Sequence, residues 1–169
     1  MVMISKTITP DPTGAYIPIL GYRATVSENV VTATGVDLFT VTGKVLITMW
    51  MGEVTVALSA AVTDYKLRVK TANVDLVAVA NFASAAAGFI WSMSGDPDLT
   101  ILTGGATAYT PATVKTTGTN GLGNANRIVG LAGGSLILQS LRTASVATGT
   151  MVHNLWYFPL ESGASVVAI

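Results

Sequence analysis

Between residues 38 and 54 the chain reads LFTVTGKVLITMWMGEV, with apolar side chains on neighbouring as well as alternate positions and only two charges, Lys44 and Glu53. A run of this kind, rich in β-branched residues and without a helical period, predicts strand. Gly43, in Thr42-Gly43-Lys44-Val45, suits the first central position of a two-residue type II′ turn, so the run divides into a short strand and a longer return strand over 45–54. On that return strand Val45, Ile47, Met49 and Met51 share one face, and Leu46, Thr48, Trp50 and Gly52 share the other. Both faces seek cover: one from the body of the fold, the second from a loop, an arm or another subunit.

The same strand-and-turn signal recurs downstream. In DYKLRVK, residues 64–70, Tyr65, Leu67 and Val69 alternate with Lys66, Arg68 and Lys70, the pattern of a half-exposed strand. Residues 74–80, 88–93, 135–141 and 150–158 read as further strands, and 164–169 as a short last one after the turn Glu161-Ser162-Gly163. Ala-rich 83–87 fits either one short helix or a linker. Between 96 and 126 the chain turns polar and rich in Gly and Thr, reading as long loops or a hairpin excursion. Near the start, Pro10, Pro12 and Pro18 interrupt isolated apolar residues, Tyr16, Ile17, Ile19, Leu20 and Tyr22, which describes an extended arm lying on a surface. The expected architecture is all-β: a β-sandwich, jelly-roll-like or barrel body forming a single domain over 25–169, with an extended N-terminal arm over 1–24.

Composition sharpens this picture. Half of the 169 residues are apolar, only 11% are charged, and mean hydropathy is +0.58, against roughly 25% charged residues in an average globular domain. Part of the surface is therefore expected to face something other than bulk solvent. Nine Lys plus Arg balance nine Asp plus Glu, so no global field draws nucleic acid or an anionic membrane. Cysteine is absent, which excludes disulfide frameworks, thiolate metal sites and cysteine nucleophiles. MVMISKTITPDP offers neither the basic nor the apolar region of a secretory signal, so synthesis in a cytosol is expected. Residues 76–94 are uncharged over 19 positions, but Asn81, Ser84, Ser92 and Ser94 and an Ala-based bulk argue against a membrane span.

Chemistry finds few residues to rest on. The only histidine, His153, falls on the strand face shared with Leu155 and Tyr157, where a structural role is preferred to general-base work. Asp96 and Asp98 flank Pro97 as a turn would, and a calcium site wants a longer run of oxygen ligands. Glycine-rich 118–126 lacks the Gly-Lys-Ser/Thr of a phosphate loop. The chain is accordingly expected to be no enzyme and to need no cofactor or metal. The row Lys66, Arg68 and Lys70 reads first as a solvated face that discourages edge pairing and second as a contact for an acidic neighbour. Residues offered as a partner interface are Tyr16, Ile17, Ile19, Tyr22, Trp50, Lys66, Arg68 and Lys70.

Two segments resemble a known group. GVDLFTVTGKVLITMWMGEVTVAL (35–58) and GTMVHNLWYFPLESGASVVAI (149–169) are similar to small structural proteins of tailed bacteriophages, which carry an LFTVTGG strand signature and a W-x-Y-x-P-L close. Here Gly43-Lys44 replaces the usual double glycine, and the close stands as Trp156-Tyr157-Phe158-Pro159-Leu160, with Tyr157 directly after Trp156 rather than two positions on. The resemblance implies a virion component made in the host cytoplasm, first a capsid decoration or cement protein that binds the major capsid protein of an assembled head as a homo-oligomer, with a trimer favoured. A tail or fibre component is the next reading, and a carbohydrate-binding module, drawing on three Trp and five Tyr, stands behind it.

Overall fold

A computed structural model describes residues 16–17, 21–30, 34–93, 102–104, 127–142 and 148–169. These residues form ten strands and no helix: β1 (Tyr16–Ile17), β2 (Gly21–Asn29), β3 (Thr34–Val56), β4 (Lys66–Val69), β5 (Val74–Asp75), β6 (Ile90–Ser92), β7 (Leu102–Gly104), β8 (Arg127–Arg142), β9 (Thr150–Pro159) and β10 (Ser165–Ala168). Hydrogen bonds join them into one sheet in the order β1-β2-β9-β3-β8-β4-β5, with β10 and β6 also on β3 and β7 on β6. Every pairing between these strands is antiparallel. The all-β expectation holds.

The expected hairpin at Gly43 does not form. β3 runs unbroken through it for 23 residues, and Gly43, at φ +65°, sits where the β3–β8 register shifts between Thr42 and Gly43. Glycine serves a bulge here rather than a turn. The side chain of Glu161 stabilises the irregularity by accepting from the Lys44 amide at 3.1 Å, while Leu160 N–H donates to the Lys44 carbonyl at 2.9 Å. Across the pair, Gly130 at φ +150° lets β8 press its backbone against the Gly43 carbonyl, where a Cβ would collide.

β3 is the spine of the molecule. One of its edges binds β8 from Thr34 to Ile47 and then β6 from Met51 to Glu53; the other binds β10 from Phe39 to Thr42 and then β9 from Val45 to Val56. A straight strand of this length would measure roughly 75 Å, whereas a compact domain of this size has a radius of gyration of only about 15 Å. Four register shifts along β3, at Asp37/Phe39, Thr42/Gly43, Ile47/Met49 and Val54/Val56, supply the bends that reconcile the two.

The third shift also revises the assignment of faces. Thr48 is the extra residue in the pairing of β3 with β9, so alternation changes phase there. Val45 and Ile47 before it, and Trp50, Gly52 and Val54 after it, are all buried, while Leu46, Met49 and Met51 are half-buried. Trp50 and Met49 thus exchange the roles that simple alternation assigns them. The core assembles around this line with Phe39, Val41, Leu58, Val62, Leu67, Leu138, Met151 and Leu155.

Other boundaries move as well. Residues 21–24 belong to β2, paired with β9 from Tyr22↔Tyr157 onward, so the body begins before the expected boundary at residue 25. Residues 1–15 and 18–20 of the expected arm lie outside the described residues, as do 94–101 and 105–126, which hold Asp96, Asp98 and the glycine-rich 118–126. The alternative of a helix at 83–87 gives way to turns: Asn81 Oδ1 accepts from the Ala83 amide at 2.8 Å, and Ser84 adopts φ +59°. The strand expected over 74–80 shortens to β5, yet Leu76, Val77, Ala80 and Phe82 are buried. No helix among the described residues is long and apolar enough to cross a membrane.

Candidate functional site

β2 carries Ala24, Val26 and Glu28 on its inward face, with Val30 buried just beyond its end, which puts a carboxylate where the pattern asks for a hydrocarbon. Glu28 has no exposed surface. Burying an ion is costly unless its lone pairs are satisfied, and four donors converge on this one. Oε1 accepts from Ser140 Oγ at 2.7 Å and from Arg142 Nη1 at 2.5 Å, and Oε2 accepts from the Tyr65 hydroxyl at 2.9 Å and from His153 Nε2 at 2.8 Å. Ser140, Arg142, Tyr65 and His153 are themselves 0–1% exposed.

The donors come from β8, from β9 and from the residue preceding β4, whereas in the sheet order β9 and β3 lie between β2 and β8. Glu28 is in register through Met151 with Val54 of β3, and Arg142 with Thr34, 20 residues apart on that strand, so a flat, straight sheet would hold them roughly 65 Å apart at about 3.3 Å per residue. Direct contact therefore requires the sheet to roll over its inner face, and the carboxylate is the point where the roll meets. Burial alone would raise the carboxyl pKa of Glu28, but the hydrogen bond and attraction of His153, the Ser140 hydrogen bond and the Arg142 charge outweigh it and hold the value at about 2, below the ordinary 4.5. Burial, with the adjacent Glu28 charge, pushes the Tyr65 phenol well above its usual range. Tyr65 is thereby fixed as a donor.

All five side chains of this cluster are 0–1% exposed, and it anchors the fold from within. His153 fits the structural role expected of it: one ring nitrogen is on Glu28, and the ring is held edge-on between Trp50 and Trp91 at centroid distances of 6.3 and 5.3 Å. The described residues hold no group of three or more His, Cys, Asp or Glu able to ligate a metal ion.

The residues offered as a partner interface separate into three places. Tyr16 and Ile17 pair through their backbones with Tyr22 and Gly21 at the edge of β2; Ile19 lies outside the described residues. Tyr22 is 46% exposed and rests its ring 5.8 Å from that of Tyr157. Lys66, Arg68 and Lys70 lie on or just beyond β4, which β9, β3 and β8 separate from β2 in the sheet order. Their row is not a bare positive stripe. Lys66 pairs with Asp75 at 2.6 Å, Lys70 pairs with Asp37 at 2.7 Å, and Arg68 is half-buried opposite Asp75 and Gln139.

Trp50 needs correction. It is 0% exposed within the single chain, packed edge-on against Phe39 at 5.6 Å and against His153, so it is a core residue with no surface to offer a partner. Exposed apolar side chains lie elsewhere among the described residues: Val56, Val74, Val79, Leu160, Val167 and Ile169 are 48–61% exposed. The sequence reading passed over these, and it passed over Glu28, although a lone charge in the apolar alternation Ala24-Val26-Glu28-Val30 was visible. Comparison of the chain with protein-family models, with curated proteins and with solved structures returns no match.

Proposed function

We propose that this chain is a structural subunit of a tailed-bacteriophage particle, a capsid decoration protein that binds the assembled head as a homo-oligomer, with a homotrimer favoured, and acts by contact rather than by catalysis. The observation that carries the reading is the pairing of the two segments on which the resemblance rests. Val45, Leu46 and Ile47 are hydrogen-bonded neighbours of Pro159, Phe158 and Tyr157, and Phe39 to Thr42 pair with Ala168 to Ser165. Two signatures more than a hundred residues apart thus make one structural unit, as a shared architecture would require.

That unit also carries the exposed Leu160, Val167 and Ile169, with Tyr22 on β2 beside Tyr157. Apolar side chains there suit a contact with a like copy or with the shell. Specific partners bury roughly 800 Å² each, and a protein that binds only the assembled lattice adds its binding free energy to the cost of bursting it. Several weak sites on one oligomer multiply that effect.

The test is co-sedimentation of the full chain with expanded and unexpanded heads assembled from a tailed-bacteriophage major capsid protein. Saturable binding to expanded heads, with a rise in the temperature at which they rupture, is expected. A chain that stays in the supernatant at micromolar concentration overturns the reading, and gold labelling confined to tails transfers it to a tail component.

A further inference from the structure

β2 is paired along its length on one side and only at its start on the other. From Tyr22 to Asn29 it runs beside β9, whereas Gly21 and Tyr22 alone meet β1, through Ile17 and Tyr16. One hydrogen bond fixes the direction of its remaining backbone groups. Val30 N–H donates to the carbonyl of Gly149, the residue opposite it, at 2.9 Å. In an antiparallel pair, hydrogen-bonded and non-hydrogen-bonded positions alternate. Even-numbered residues of β2 therefore turn their N–H and C=O groups toward β9, and Arg23, Thr25, Ser27 and Asn29 turn theirs away from it. Among the described residues no strand receives those groups. An edge of this length is a template for one more strand.

β1 enters that edge in a register the chain itself can prolong. Carried backward from Ile17↔Gly21 and Tyr16↔Tyr22, it sets Ala15, Thr13, Asp11 and Thr9 opposite Arg23, Thr25, Ser27 and Asn29, and Pro12 and Pro10 opposite Val26 and Glu28. The four residues that must donate to β2 all possess an N–H. Both prolines fall where the N–H would point away from β2, the position at which an edge strand tolerates proline. The side chains match as well. Thr13, Asp11 and Thr9 share the face of Thr25, Ser27 and Asn29, which are exposed, and Pro12 falls beside Val26, an inward-facing residue that is only half-buried.

We infer that residues 9–15 continue β1 along β2 of the same chain as the outermost strand of the sheet. Only three residues separate Ile17 from Gly21, a connection of hairpin length, so the added strand is delivered within one molecule rather than by a second copy. Its two prolines offer no N–H to anything beyond it, which closes this edge to strand addition by another chain. Association with like copies is then left to side chains rather than to shared backbone pairing.

The chain has no cysteine, so an introduced pair reports its own geometry. Hydrogen-bonded partners stand about 5.5 Å apart between Cα atoms, within disulfide range. Mild oxidation of the full chain carrying Thr13→Cys and Thr25→Cys should give a disulfide within one molecule, and the out-of-register pair Thr9→Cys with Thr25→Cys should give none. In the unaltered protein the Thr25 and Ser27 amides should exchange with deuterium slower by about tenfold or more than after Thr13→Pro, which places proline at a donating position. A disulfide that joins two chains assigns the edge to a second copy and overturns the inference. So does the absence of a disulfide in the Thr13 and Thr25 variant. Should the variants fail to fold, exchange in the unaltered protein decides alone, and Thr25 and Ser27 amides that exchange as fast as those of an unstructured chain overturn it.

Discussion

A single carboxylate decides much of this molecule's chemistry. Glu28 has no access to water and four donors to hold it, so Glu28→Gln should destabilise the protein by roughly 3–5 kcal/mol, the usual effect of breaking a buried pair while its cation stays behind. Urea unfolding of the two proteins at neutral pH measures this. Because the folded value lies near 2 and the ordinary value near 4.5, the carboxylate's contribution is present above pH 4.5 and is lost as pH falls through about 2. Linkage makes the loss about 3 kcal/mol. The Glu28→Gln protein should show a flatter acid limb over that window, and parallel limbs would contradict the role given to Glu28. At Gly52, where a Cβ would run into the Trp91 ring, Gly52→Ala should cost about 1–3 kcal/mol through overpacking, read as a lower midpoint with an unchanged slope. Residue identity made part of this legible. His153 announced a structural histidine by the face it occupies, but its partner sits 125 positions away, and no local pattern names such a contact.

Among the elements, β3 shows most clearly what periodicity can and cannot carry. Its strand character is plain from residues 38–54, and the alternation of 64–70 correctly puts Tyr65, Leu67 and Val69 inside. The hairpin at Gly43 is absent because a glycine at positive φ serves a turn and a bulge equally well, and only the partner strand decides between them. β8 supplies that decision through Gly130 and the register shift at Thr42/Gly43. The faces beyond Thr48 depend on a second bulge, set by β9. Deleting Thr48 leaves Ile47 opposite Tyr157 and Trp50 opposite Leu155, so it removes the bulge and keeps Trp50, Gly52 and Val54 on the core face. The expected outcome is a folded chain with a cooperative thermal transition in calorimetry; loss of that transition would show that the bend at Thr48 is itself indispensable. Trp50→Ala should also fold and lose roughly 3–5 kcal/mol as a core truncation.

For the molecule as a whole, much of the apolar surface is concealed within the chain itself, by rolling one sheet around β3. Where the body begins matters for testing the arm. Removing residues 1–15 spares every strand described, whereas removing 1–24 takes Tyr22, Arg23 and Ala24 out of their pairing with β9. The shorter truncation should keep a cooperative thermal transition in calorimetry, and the longer one should lose it. Burial around Glu28 carries a consequence for synthesis. Its donors lie 37, 112, 114 and 125 residues downstream, so the negative charge leaves the ribosome long before three of its four partners exist. At roughly 5–20 residues per second the wait lasts many seconds, and the interior has no early, self-sufficient half that could close in the meantime. This polypeptide matures as a whole and late, once β8 and β9 have both been made.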